Sequence, residues 1–117
     1  MSYTVIVCYS LSNSWLAKTR QERDDYQATH VLPVMANYLG DVEARFFDAE
    51  AFESEFSDFI VAKVEDLGVY SSLMEDLKGS PMYTEGYIDF RDFLLGVEES
   101  LVPDPLIDDR VEQGEFV

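Results

Sequence analysis

Two segments with strand character carry apolar side chains on both of their faces, and this constrains the fold more than any other feature. They are residues 3–10 (YTVIVCYS) and residues 57–64 (SDFIVAKV), which are rich in the β-branched and aromatic residues that favour strands. A strand that is apolar on both faces belongs to a sheet that is covered on both faces. The chain therefore needs a covering layer on each side of its sheet.

Six elements are predicted, in the order strand, helix, strand, strand, helix, strand. Helix one begins at a capping box formed by Thr19 and Glu22, and helix two begins at the capping residue Asp66. Gly40 and Gly79 are natural stops for the two helices. The predicted elements span residues 3–10, 19–40, 42–48, 57–64, 66–79 and 87–97. This β-α-β-β-α-β order is that of a ferredoxin-like α+β fold.

Two residues leave local alternatives open. Pro33 lies inside the helix one pattern, where it removes a backbone hydrogen bond, so it either kinks the helix near His30 or breaks it. Gly96 in strand four indicates a bulge or a close approach of another group. The segments 11–18, 49–56 and 80–86 are predicted as connectors.

Two helices can cover only one face of a four-stranded sheet. Depending on which side of each strand points outward, the other face exposes residues such as Val5, Phe46, Val61 and Phe93. An exposed apolar patch of this size normally marks an interface. The simplest cover is a second copy packed sheet to sheet, so we expect a homodimer with two-fold symmetry.

The charge of the chain excludes several classes of partner. The 117 residues include 24 acidic and 8 basic side chains, which gives a formal net charge of −16. A field of this sign repels phosphate groups, so we expect neither nucleic acid nor an anionic membrane as a partner. A nucleic-acid mimic that blocks a DNA-binding protein is the one function that the charge itself suggests.

Cys8 and His30 are the only cysteine and the only histidine. No internal disulfide can form, a multi-histidine metal site is excluded, and neither a metal nor a cofactor is expected. The sequence shows no signal peptide and no apolar run near the roughly 20 residues of a membrane span, so the protein is expected to be cytoplasmic. Residues 1–97 are predicted to form a single domain. Residues 98–117, with seven acids against one arginine, are predicted to form an acidic tail.

Three of the few cations cluster at the start of helix one. They are Lys18, Arg20 and Arg23, and cations at this end oppose the helix dipole. They either bind an anion or a ligand carboxylate, or they pair with the many acids of the protein itself. Arg20 is counted among the predicted ligand-binding residues.

Arg23, Tyr26 and His30 share one face of helix one by their spacing. His30 is the predicted general base, because histidine is the side chain most often used for this role, with Arg23 or Arg45 stabilising a developing oxyanion. The alternative is a structural histidine that is hydrogen-bonded to backbone near Pro33.

Charged and aromatic residues complete the predicted site. Asp48 and Asp58 are predicted ligand contacts, although Asp58 could instead form a structural pair with Arg45, since charges in a covered sheet must be paired. Trp15 and Tyr70, together with Tyr26, are the predicted aromatic walls of a pocket. Aromatic residues at helical spacing are more often core than pocket, and this alternative stays open.

Several motifs together resemble the darcynin family of small bacterial proteins. They are Arg20-x-x-Arg23, the block FDAEAF at residues 47–52, Ser57-Asp58-Phe59, and the run from Tyr70 to Lys78 followed by Ser80-Pro81. The element order also resembles the dimeric α+β barrel superfamily, which includes cofactor-free monooxygenases, polyketide cyclases, muconolactone-type isomerases and haem-degrading enzymes. The resemblance implies a small apolar substrate held between sheet and helices.

The leading hypothesis is a homodimeric barrel with one small-molecule pocket per subunit. As an enzyme it would be a cofactor-independent monooxygenase, cyclase or isomerase acting on an aromatic or polyketide-like substrate. The alternative is a non-catalytic dimer that binds a ligand or has a regulatory role. Fold alone does not decide between these functions.

Overall fold

A four-stranded antiparallel sheet forms the centre of the computed structural model, which describes residues 2–53 and 55–99. The strands are β1 (Tyr3–Leu11), β2 (Val42–Asp48), β3 (Asp58–Val64) and β4 (Ile88–Val97). Their order across the sheet is β2-β3-β1-β4, and every neighbouring pair is antiparallel. The predicted ferredoxin-like arrangement is therefore confirmed. The predicted acidic tail falls almost entirely on residues 100–117, which lie outside the described residues.

Five helices accompany the sheet in the described residues: α1 (Asn13–Leu16), α2 (Arg20–His30), α3 (Leu32–Ala36), α4 (Leu67–Gly79) and α5 (Pro81–Thr84). The capping box of α2 is formed as predicted. Thr19 Oγ1 accepts a hydrogen bond from the Glu22 amide at 3.1 Å, and Glu22 Oε1 accepts one from the Thr19 amide at 3.0 Å. Asp66 caps α4 by accepting from the Gly68 amide at 2.7 Å. The short helices α1 and α5 lie in segments that were predicted as connectors.

Pro33 coincides with a break and not with a kink. α2 ends at His30, Val31 links the two helices with φ −108° and ψ −50°, and α3 starts at Leu32. Pro33 then occupies the first turn of α3, where its missing N–H would have no helical partner in any case. The single kinked helix was the wrong alternative, and the break was the right one.

One face of the sheet packs against the helices. Val5, Val7 and Val64 on that face are at most 4% exposed and form the centre of the core, against which Leu67 and Tyr70 of α4 pack. Cross-strand partners share a face. The register therefore places Ile6, Arg45, Val61 and Leu94 in one row on the opposite face, which no helix of the described residues covers.

This register corrects the predicted outward-facing set. Of the four residues named, only Val61 lies on the open face. Phe46, Ile60, Val7 and Phe93 are successive cross-strand partners from β2 to β4, so they lie in one row. Because Val7 faces the helices, the whole row does, and so does Val5, two residues before Val7 in β1.

A bulge in β4 lies at Arg91 and not at Gly96. Cys8 pairs with Asp92 and Tyr9 pairs with Phe90, so Arg91 is left without a partner across the ladder. Gly96 pairs in register with Thr4, and nothing approaches the position of its missing Cβ within 4 Å. The extra residue reverses the alternation of the strand.

Candidate functional site

An apolar cavity of about 400 Å³ lies between the sheet and the helices. Phe46, Ile60 and Phe90 line it from the sheet, and Val31, Met35 and Leu77 line it from the helices. The break between α2 and α3 contributes to this wall, because Val31 and Leu32 both belong to the lining. Apolar cavities with few polar groups are typical of small-molecule sites.

Two of the four polar residues that line the cavity, Asp58 and Tyr9, lie where β3 begins, whereas Gln27 and Ser80 line it from the helix layer. Asp58 and Tyr9 are directly opposite each other in the β1–β3 register, and both line the cavity. Asp48 is the partner of Asp58 on the other side, in the β2–β3 register. Like charges on directly opposite residues destabilise a sheet. The Asp48–Asp58 pair is therefore unfavourable for folding, which suggests that it has a role other than stabilising the fold.

Burial raises the pKa of the partly buried Asp58 carboxyl. Repulsion by Asp48 and Glu50 adds to this effect, while a hydrogen bond from Ser57 opposes it. Burial also raises the pKa of the Tyr9 hydroxyl, with further contributions from Asp58 and Asp48, so Tyr9 stays protonated. Asp58 is thus a carboxylate that accepts a proton more readily than an exposed aspartate does.

Asp48→Asn is expected to raise the free energy of unfolding at pH 7 by about 0.5 kcal/mol, since it removes one like-charge cross-strand pair. Because the folded-state pKa of Asp58 is raised, the folded protein binds a proton more readily than the unfolded chain. The contribution of the Asp58 carboxyl to stability therefore becomes less unfavourable as the pH falls through that pKa, and the gain from Asp48→Asn should become smaller there. Urea unfolding at pH 7 and pH 4 measures both effects. Glu75→Gln, an exposed change of equal charge, is the control, and an equal gain from it would contradict the prediction.

Trp15 is the most buried member of an aromatic cluster beside the cavity. Its ring lies 5.5 Å from the rings of Tyr26 and Tyr87, and the residue is only 2% exposed. The Tyr26 hydroxyl donates a hydrogen bond to Glu85 Oε2 at 3.1 Å, and burial together with this bond raises the pKa of Tyr26 to about 12. The His30 ring packs on Tyr26 at 4.6 Å and does not line the cavity.

Arg20 and Arg23 line a groove of about 360 Å³ together with Trp15, Asp24, Gln27 and Leu11. Gln27 and Leu11 also line the cavity, so the two spaces are adjacent. Within residues 2–53 and 55–99, neither arginine forms an ion pair, and the buried Nε of Arg23 has no hydrogen-bond partner. The predicted pairing with acids of the protein itself is therefore not found in this part of the chain.

Two other predicted residues lie away from the cavity. Arg45 is exposed on the open face of the sheet, so it cannot pair with Asp58, which faces the helices. Tyr70 packs against the core from α4 and lines a shallow depression with Met74, Lys78 and Phe93. The roles predicted for these residues stay predictions.

A larger depression of about 670 Å³ lies near the ends of β2 and β3. Five of its eleven lining residues are charged, namely Asp41, Glu43, Lys63, Glu65 and Asp66, and it is more open than the apolar cavity. Water competes well for such a surface, so the apolar cavity is the better candidate for a ligand.

Neither a metal cluster nor a membrane span is found in the described part of the chain. No group of three or more histidine, cysteine, aspartate or glutamate side chains there is arranged to hold a metal ion. No helix formed by residues 2–53 and 55–99 has the length and apolar character needed to cross a bilayer.

Solved structures with the same fold have little sequence similarity to this chain. Chlorite dismutase from Candidatus Nitrospira defluvii, in complex with imidazole, matches with a TM-score of 0.75 at 11% identity, over 92% of this chain and 46% of its own. A heme-binding protein from Thermus thermophilus matches with a TM-score of 0.72 at 14% identity, over 80% of this chain and 38% of its own. The chain thus spans less than half the length of these proteins. These matches agree with the predicted ferredoxin-like α+β fold.

Sequence comparison is more specific than the fold. A darcynin homolog from Streptomyces avermitilis is 33% identical over 95 residues, which are 81% of this chain and 78% of that protein. The darcynin of Chromobacterium violaceum is 37% identical over 67 residues, which are 57% of this chain and 84% of its own. Darcynin, a domain of unknown function, matches residues 1–104. The chain belongs to the darcynin family.

Proposed function

We propose that the protein is a homodimer that binds a small, largely apolar molecule in the cavity between its sheet and its helices. The cavity itself carries the proposal: about 400 Å³ of space with mostly apolar walls and a few polar groups, among them Asp58 and Tyr9. Apolar walls supply affinity, and the few polar groups orient the ligand. The volume and the aromatic lining suit an aromatic or polyketide-like compound.

Proton transfer is the chemistry that the cavity supports best. Asp58 lines it, and the raised pKa of its carboxyl suits a general base or acid. The protonated Tyr9 hydroxyl beside it can donate a hydrogen bond to an oxygen of the substrate. Of the expected reactions, isomerisation and cyclisation require only such proton transfers. The alternative is a binding protein that uses the same cavity without turnover.

The catalytic role predicted for His30 stays a prediction. The ring of His30 packs on Tyr26, and the residue is not part of the cavity lining, whereas its neighbour Val31 is. Asp58 is therefore better placed than His30 to exchange a proton with a molecule in the cavity.

Haem, named for the Thermus thermophilus protein, does not fit the residues of this cavity. Haem iron is usually held by histidine, cysteine thiolate, methionine or tyrosinate. His30 does not line the cavity, and Cys8 lies on the open face of the sheet. Met35 and Met82 do line the cavity, but methionine typically ligates haem iron together with a histidine, and no histidine lines this cavity. Tyr9 does line it, but its raised pKa disfavours the phenolate form that binds iron. The proposed function therefore involves no haem.

The open face of the sheet supports a second copy as the partner. Ile6, Val61 and Leu94 form its apolar centre. The charged residues on its strands sum to no net charge. Glu43 lies directly opposite Lys63 in the strand register, and Arg91 forms a 3.0 Å ion pair with Asp89. Arg45 and Asp92 complete this balance. A face with no net charge can meet its own copy despite the −16 of the whole chain.

Binding of 1-tetralone, a neutral bicyclic ketone, tests the cavity. We expect one molecule to bind per subunit, and Met35→Trp to abolish binding because the larger side chain fills the space. Leu39→Trp, at a residue that is 78% exposed and outside the cavity, is the matched control. Isothermal titration calorimetry measures both variants. Binding that survives Met35→Trp unchanged would refute the proposed site.

Deuterium uptake at the carbon next to the ketone separates catalysis from binding in the same samples. A general base typically contributes at least about 100-fold to such a proton transfer, so Asp58→Asn should bind 1-tetralone and lose roughly that factor in exchange. Binding with no acceleration of exchange by the unmodified protein would favour the non-catalytic alternative.

A further inference from the structure

Arg23 contains the one buried side-chain nitrogen or oxygen of residues 2–53 and 55–99 that has no hydrogen-bond partner. Its Nε is shielded from water, and leaving a charged group in this state costs free energy. The sequence contains 24 acidic residues that could have satisfied it. Asp24 lines the same groove but forms no ion pair with either arginine. No carboxylate of the described residues satisfies this nitrogen, and we take this as an indication that the guanidinium can bind another molecule.

The groove that holds Arg23 is adjacent to the apolar cavity. Leu11 and Gln27 line both spaces, so a molecule that fills the cavity can extend into the groove past these two side chains. Arg20 lies on the same lining, one helical turn before Arg23. Trp15 forms a rigid wall of the groove, because it is held between the rings of Tyr26 and Tyr87.

We propose that the ligand is an apolar carboxylate, with its ring system in the cavity and its carboxylate bound by Arg23 and Arg20 in the groove. This proposal rests on the proposed function and adds the chemical class of the ligand. A guanidinium presents paired N–H donors that match the two oxygens of a carboxylate. The opposite end of such a ligand would lie toward Asp58 and Tyr9, which are on the sheet side of the cavity.

Two probes of nearly the same shape test the proposal: 2-naphthoate, which is an anion, and 2-naphthamide, its neutral analogue. Titration calorimetry on the full chain should show 2-naphthoate binding about ten-fold or more tightly, since hydrogen bonds between charged groups are the stronger kind. Arg23→Gln should remove this preference and leave 2-naphthamide binding unchanged, and Arg23→Lys should restore part of it. Lys78→Gln removes one positive charge outside the cavity and the groove, and should keep the preference.

Trp15 provides an independent readout, because it is the only tryptophan and lines the groove. Its single indole N–H resonance should shift on adding 2-naphthoate, and Arg23→Gln should reduce this shift. Arg23→Gln should also leave the thermal unfolding midpoint unchanged or raise it, because the buried Nε has no hydrogen-bond partner among the described residues to lose.

The outcomes separate this proposal from the proposed function. If neither probe binds, both proposals are refuted. If 2-naphthamide binds as tightly as 2-naphthoate, or if Arg23→Gln leaves the preference intact, the cavity stands and the carboxylate site is refuted. A fall in the unfolding midpoint of Arg23→Gln with unchanged binding would identify Arg23 as a structural residue and overturn the proposal.

Discussion

Trp15→Ala is expected to lower the free energy of unfolding by about 3–5 kcal/mol, the range for removing a large buried aromatic side chain. Trp15 is 2% exposed and contacts Tyr26 from α2 and Tyr87 next to β4. The single-turn helix α1 has little stability of its own, since short helices depend on tertiary packing. Loss of the indole should therefore release α1 from the sheet as well as leave a cavity.

Urea unfolding followed by circular dichroism measures this effect, because the variant has lost the only tryptophan of the chain. Leu39→Ala, at an exposed residue, is the control and should change the free energy of unfolding by less than about 0.5 kcal/mol. A loss below about 1 kcal/mol for Trp15→Ala would show that the aromatic cluster does not anchor this part of the fold.

Val61→Asp is expected to make the protein monomeric under conditions where the unmodified protein is a dimer. Val61 lies in the centre of the open face, beside Ile6 and Arg45 in the strand register. Two-fold symmetry would place two new carboxylates in one interface. Because a buried unpaired charge costs several kcal/mol, the dissociation constant should rise roughly a thousand-fold or more.

Sedimentation velocity measures this change, and native mass spectrometry reports the subunit count together with any retained small molecule. Leu94→Glu, in the same row on an edge strand, should also dissociate the dimer and is less of a risk to folding. Leu32→Asp, an exposed residue of the helix layer, should not. A monomeric unmodified protein would refute sheet-to-sheet dimerisation.

The strands and the starts of the helices could be predicted because their signals are local. β2 was predicted at residues 42–48, where the structure has it, since its apolar run is bounded by Gly40 on one side and a polar loop on the other. The caps at Thr19 and Asp66 depend only on residues within three positions of them. The break at Pro33 was left undecided, because a proline in the first turn of a second helix and a proline in a kink have the same local sequence.

It was harder to predict which residues lie on which face of the sheet, because this depends on how the strands are paired. The unpaired residue Arg91 reverses the alternation of side chains along β4, so that Phe90 and Phe93, three residues apart, lie on the same face. The apolar pattern does change there, from Ile88 and Phe90 to Phe93 and Leu95, and this shift was the available signal. A bulge or a close approach was predicted at Gly96 because a glycine inside a strand often marks one of the two.

The candidate site was predicted in part. Asp58 was predicted as a ligand contact and lines the cavity, while Trp15, Arg20 and Arg23 line the neighbouring groove. Tyr9 was missed because it continues an apolar strand, and its pairing with Asp58 becomes visible only in the β1–β3 register. Arg45 and Asp58 lie on opposite faces of the sheet, as the alternation of side chains along β2 and β3 shows. This could be worked out only once the pairing of β2 with β3 was known.

The bulge at Arg91 also affects whether β4 can pair with a strand of another molecule in solution. β4 is an edge strand, and exposed edges offer free backbone groups to the strands of other molecules. The bulge interrupts this edge part of the way along it, between the charged Asp89 and Asp92. Continuous pairing from chain to chain is thereby disfavoured. In the proposed homodimer, association through the face of the sheet would close as a pair and would not extend into a fibre.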